Sequence, residues 1–76
     1  MNDYHQEILT AALEARSKEV TEYQVNITNF SLAIDHIGDD PELQEFKANL
    51  QSLLESSTLE QRKSQIMLDV IQSQLE

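Results

Sequence analysis

The chain has 76 residues, with 14 acidic side chains against five basic ones and a formal net charge of −9. That length allows one domain without a large enclosed core, and a charge of that sign argues against a surface built for nucleic-acid phosphates or an anionic membrane, both of which need a basic face. Cysteine is absent, which excludes a disulfide framework and thiolate chemistry.

The first residues, Met1 to Glu7, have no basic segment followed by an apolar run. No signal peptide and no membrane span are expected, and the expected location is cytoplasmic. Asn2 or Asp3 suits the cap of a first helix, with Glu7 in its opening turns. From there an apolar seam runs with alternating spacings of four and three: Leu9, Leu13, Arg16, Val20, Tyr23, Ile27, Phe30, Ile34, Ile37. This is a heptad pattern broken in character only by Arg16. Val20 to Phe30 is rich in strand-favouring residues, and Tyr23, Val25 and Ile27 alternate. A helix is nevertheless the expectation, because the heptad phase passes through the segment unchanged and no second strand is available to pair with it.

Near the midpoint lies His36-Ile37-Gly38-Asp39-Asp40-Pro41-Glu42, which holds the single Gly and the single Pro. Gly38 suits the left-handed residue just past a helix end. Asp39 or Asp40 suits the N-cap of a second helix, and Pro41 its first position. His36 and the acidic residues after the turn complement the two helix dipoles. The second helix then carries Leu43, Phe46, Leu50 and Leu53, a polar stretch Glu55-Ser56-Ser57-Thr58, and the apolar residues Ile66, Met67, Leu68, Val70, Ile71 and Leu75. No Gly or Pro marks a break at Ser56-Thr58, so a continuous or merely kinked helix is expected there.

The predicted fold is all-α: one antiparallel, coiled-coil-like helical hairpin over residues 1–76. Its helices span about 3–37 and about 41–75, joined by a turn at 38–40. Folding about Gly38 brings together residues whose numbers sum to about eighty. Ile34 then faces Phe46, Phe30 faces Leu50, Leu13 faces Met67 and Leu9 faces Ile71. Arg16, Tyr23, Ser57, Glu60 and Ser64 form a polar waist, with Arg16 and Glu60 as a pair across it. Leu9, Leu13, Ile27, Phe30, Ile34, Phe46, Leu50 and Met67 are expected to hold the hairpin. Val25, Leu32, Ile66, Val70 and Ile71 are left over as the expected partner-binding surface.

No catalytic constellation can be assembled from His5 and His36. Asp35, His36, Asp39 and Asp40 match no metal-site spacing, and capping already accounts for them. The expectation is therefore a protein that is not an enzyme and holds no cofactor and no metal. It would bind another protein helix to helix, as a homo- or hetero-oligomer, without nucleic acid or membrane.

The segment Leu32-Ala33-Ile34-Asp35-His36-Ile37-Gly38-Asp39-Asp40-Pro41-Glu42-Leu43-Gln44-Glu45-Phe46 resembles the turn region of the small helical hairpins of bacterial type III secretion systems. These comprise the needle subunits and the co-chaperones that hold the needle subunit in the cytosol. Two features depart from the needle pattern: the helix starts without a flexible polar lead, and Ser56-Ser57-Thr58 replaces a Tyr-rich stretch. The resemblance therefore implies a chaperone or assembly factor for a helical partner in a secretion-type system. A self-assembling structural subunit (a dimeric four-helix bundle or a filament part) and an acidic decoy of a nucleic-acid-binding partner are the alternative readings.

Overall fold

The computed structural model describes residues 3–76. Asn2, one of the two candidate caps, lies outside the described residues, and Asp3 opens the first helix. Helix α1 spans Asp3–Ile37 and helix α2 spans Gln44–Leu75, with no strand among the described residues. The two pack antiparallel along their lengths in a rod of 62 × 14 × 14 Å. The all-α hairpin expected from the heptad pattern is the observed architecture, and Val20 to Phe30 is helical throughout.

The α1 seam lies where its periodicity placed it. Leu9 is buried and the other eight seam residues, Leu13 to Ile37, are half-buried against α2. The facing row on α2 is a second strict heptad series: Lys47, Leu50, Leu54, Ser57, Gln61, Ser64, Leu68, Ile71, Leu75. Leu50, Ser64 and Ile71 are buried and the remaining six half-buried. Three expectations are corrected here. Phe46 and Met67, expected in the core, are 52% and 43% exposed, whereas Ile71, expected on the partner surface, is 7% exposed and belongs to the core.

The cause is the turn. Gly38 adopts φ +53°, and its N–H donates to Ile34 O at 3.2 Å, closing α1 with a left-handed residue. Pro41 does not open α2, contrary to the expected start near 41. Pro41 disfavours a helical backbone at Asp40. Asp40 instead closes a turn of its own: Oδ1 accepts from the Glu42 N–H at 3.0 Å, and Asp40 O accepts from the Leu43 N–H at 3.2 Å. The helix starts only at Gln44, and Leu43 caps it without a side-chain bond, so neither Asp39 nor Asp40 is its N-cap.

Three residues spent in the turn move α2 by nearly one helical turn relative to α1. Hydrogen bonds between the helices record the result. Gln61 Nε2 donates to Val20 O at 3.2 Å and to Gln24 Oε1 at 3.0 Å, and Ser64 Oγ donates to Glu19 Oε2 at 2.9 Å. Extended along the rod, that register sets Ile34 level with Leu50, Phe30 with Leu54 and Leu13 with Ile71.

Side chains of α2 complete the turn. Lys47 Nζ donates to Gly38 O at 2.8 Å, and Gln44 Nε2 donates to Asp40 O at 2.7 Å. Carbonyls freed at a helix end need such donors, so these two bonds hold the turn to the foot of α2. At the other doubtful point, Ser56-Thr58, α2 runs unbroken. Thr58 Oγ1 donates back to Leu54 O at 2.8 Å, the usual way a helix accommodates threonine.

Candidate interaction surface

Each seam is flanked by two rows of side chains, one on each side of the hairpin. In an antiparallel pair the equivalent flanks of the two helices lie side by side. One flank of α1 is Ala12, Glu19, Asn26, Ala33, and it adjoins the α2 flank Phe46, Leu53, Glu60, Met67. The Glu19–Ser64 bond lies on this side. The other flank of α1 is Thr10, Ser17, Gln24, Ser31, and it adjoins Gln44, Gln51, Thr58, Gln65, Gln72 of α2. The Gln24–Gln61 bond lies there.

The rod therefore has two unlike broad faces. The first, continued outward by Ile8 and Ala15 on α1 and by Asn49 and Val70 on α2, carries an apolar patch at each end. Near the turn are Phe46 and Leu53, beside half-buried Ala33, with exposed Asn49 between them at the outer margin. Near the open end are Ile8, Ala15, Met67 and Val70, beside half-buried Ala12. The large side chains of both patches are roughly half exposed. Between them lies a polar waist. Arg16 Nη1 donates to Glu19 Oε2 at 3.1 Å, and Lys63 Nζ donates to Glu60 Oε1 at 2.9 Å. The expected Arg16–Glu60 pair is thus replaced by two pairs, each made within one helix. The partners are three positions apart in both cases, so each pair closes without any movement of the opposite helix.

The second broad face is polar, with Ala48 as the exception. Beyond its Thr, Ser and Gln flanks it carries Glu7, Glu14, Asp35, Glu55 and Asp69, with Arg62 among them. Hydrogen bonds tie neighbours along it, Gln24 to Thr28 at 3.3 Å and Gln65 to Asp69 at 2.9 Å. The chain's negative charge is concentrated on this face and around the turn, at Asp39, Asp40, Glu42 and Glu45. On the apolar face Glu19, Glu22 and Glu60 stand against Lys63, with Arg16 at its edge.

The five residues expected to form the partner surface do not share one face. Val25 and Leu32 lie on the outer ridge of α1, opposite α2. Ile66, 61% exposed, lies on the outer ridge of α2 and so points the other way. Val70 is part of the apolar broad face, and Ile71 is buried between the helices. Sequence reasoning missed Ile8, Phe46, Leu53 and Met67 as surface residues. The signal that identifies the last three is the second heptad row of α2: once Leu50, Leu54, Leu68, Ile71 and Leu75 are taken as one series, Phe46, Leu53 and Met67 fall on the row beside it.

Among the described residues there is no pocket, no group of three or more His, Asp or Glu placed to hold a metal ion, and no helix long and apolar enough to cross a membrane. Comparisons with protein-family models, with curated proteins and with solved structures find no match.

Proposed function

We propose that this chain is a protein-binding module whose apolar broad face docks on a helical surface of another polypeptide. The observation that carries the reading is the difference between the two broad faces. Half-exposed Phe46, Leu53, Met67 and Val70 lie on one, and only polar rows flank the seam on the other. Val25, Leu32, Leu59 and Ile66 stand apart on the two outer ridges, where scattered apolar side chains need no partner, whereas those of the broad face cluster into patches. Exposed apolar patches at helical spacing suit helix-to-helix docking.

Within that reading the proposed role is a small chaperone or assembly factor acting in the cytosol. The likeness of the turn segment to type III secretion co-chaperones supports a client that is itself helical. The decoy reading draws on the carboxylates gathered on the polar face, but the threonines and glutamines among them suit an ordinary solvated surface better.

The test is site-specific photo-cross-linking. A benzophenone side chain at Leu53 or at Val70 is expected to capture a polypeptide, and the same group at Thr21 or Thr58 on the polar face is not. Equal capture from both faces, or none from Leu53 and Val70, overturns the proposal.

A further inference from the structure

We propose that the apolar broad face is occupied by a second copy of this chain, so that two hairpins close face to face into a four-helix bundle with their polar faces outward. The inference rests on the reading of that face as a docking surface and puts a second copy there in place of an unlike client. Three features of the face select a copy over an unlike partner.

The first is charge. A chain of net charge −9 should repel itself, yet most of that charge lies on the opposite face and around the turn. The waist of the docking face is largely self-neutralised, through Arg16–Glu19 and Glu60–Lys63. Two copies can therefore meet on this face with their acidic surfaces held farthest apart.

The second is self-complementarity. Leu53 and Met67 stand seven residues to either side of Glu60, about 10 Å each way along the helix. A two-fold axis through the waist near Glu60 then lays apolar patch on apolar patch and polar waist on polar waist, the condition for an isologous contact.

The third is size. A strip with the rod's extents of 62 by 14 Å offers roughly 800 Å² per partner, the area of a standard stable interface. Among the described residues, one hairpin buries only Leu9, Leu50 and Ile71 of its apolar side chains, and a second hairpin covers more.

The experiment is sedimentation equilibrium of the intact chain across a wide concentration range. The expected result is a mass that rises to twice that of the chain and stops there, and is held or favoured by added salt. Leu53→Glu with Val70→Glu should raise the dimer dissociation constant at least about tenfold while circular dichroism keeps its helical signal; Thr21→Glu with Thr58→Glu should leave the mass unchanged. Glu60→Cys, placed near the axis and oxidised with diamide, should give a disulfide-linked pair, and Thr58→Cys should not. A monomer at every concentration, growth beyond two copies, or a dimer indifferent to Leu53→Glu/Val70→Glu overturns the proposal. If the chain is monomeric while a benzophenone at Leu53 captures another protein, the second copy is wrong and the docking face stands. If a dimer forms through the polar face, both fail.

Discussion

Ser64 and Glu19 join the two helices at the waist. The Ser64 hydroxyl donates to Glu19 Oε2 at 2.9 Å, and the same oxygen accepts from Arg16 at 3.1 Å. Ser64 is the buried polar residue of the seam, at 6% exposure, and no buried side-chain nitrogen or oxygen among the described residues lacks a partner. The carboxylate is thus held from both sides, by its own helix and by its neighbour. Ser64→Ala should lower stability by about 1 kcal/mol, the usual worth of a hydrogen bond to a partly solvated charged group. A double-mutant cycle with Glu19→Ala, read by urea denaturation, should show positive coupling between the two sites. Strict additivity would mean that the bond does not hold the register.

Ile71 and Ile66 share a helix and a side-chain type but not an environment. Ile71 is buried in the seam, whereas Ile66 is on the outer ridge. Ile71→Ala should cost about 2–3 kcal/mol through lost burial and the void it leaves, and Ile66→Ala no more than about 0.5 kcal/mol. Equal costs in urea denaturation would mean that α2 is rotated relative to α1.

These two residues also mark how far the sequence could be read. The seam of α1 was legible in full, because eight of its nine positions are apolar and the facing direction follows from spacing alone. The seam of α2 was not, because Lys47, Ser57, Gln61 and Ser64 occupy positions that apolarity cannot reveal. The adjacent row of Phe46, Leu53 and Met67 competes with it and carries large apolar side chains of its own. Two apolar rows on one helix do not show which of them α1 covers. Pro41 added to the error: a proline suits the first position of a helix, but here the Asp40 carboxylate captures the Glu42 N–H and delays the helix to Gln44. That delay shifts the register of everything beyond it. Of the candidate surface, Val70 was identified for its excess apolarity, and the unlike character of the two broad faces emerged only once the register was known.

Gly38 closes α1 at φ +53°, and a Cβ there would meet only Asp35 O, at an ordinary 3.9 Å. Space is not the constraint; the left-handed backbone is. Gly38→Ala should therefore cost about 1 kcal/mol, and Gly38→Asn distinctly less, since asparagine tolerates that conformation. Thermal unfolding of the two variants checks the order. An alanine variant as stable as the parent would place the turn in another conformation.

Lys47 occupies a seam position, half-buried, and its ammonium reaches back to Gly38 O at 2.8 Å. Lys47→Met keeps the aliphatic stem and removes the donor. The variant should lose about 1 kcal/mol or less, because Gln44 Nε2, already 3.3 Å from the same carbonyl, remains as a donor. Gln44→Ala with Lys47→Met should lose more than the two single changes together, and hydrogen exchange should report the loss first at Gly38 and Asp40. Uniform acceleration of exchange along both helices would instead mean that Lys47 supports the whole rod.

The central claim is that a second copy of the chain covers one broad face of this hairpin and leaves the other open. Because the chain contains no cysteine, single cysteines at Asn49, between Phe46 and Leu53 on the apolar face, and at Thr58 on the polar face report each face separately. Both positions are exposed in the single hairpin, so only association can tell them apart. The rates at which a thiol reagent labels them should be compared from dilute to concentrated protein. Labelling at Asn49→Cys should slow as concentration rises, while Thr58→Cys labels at one rate throughout. Matching behaviour at the two positions, or protection of Thr58→Cys alone, would contradict the account.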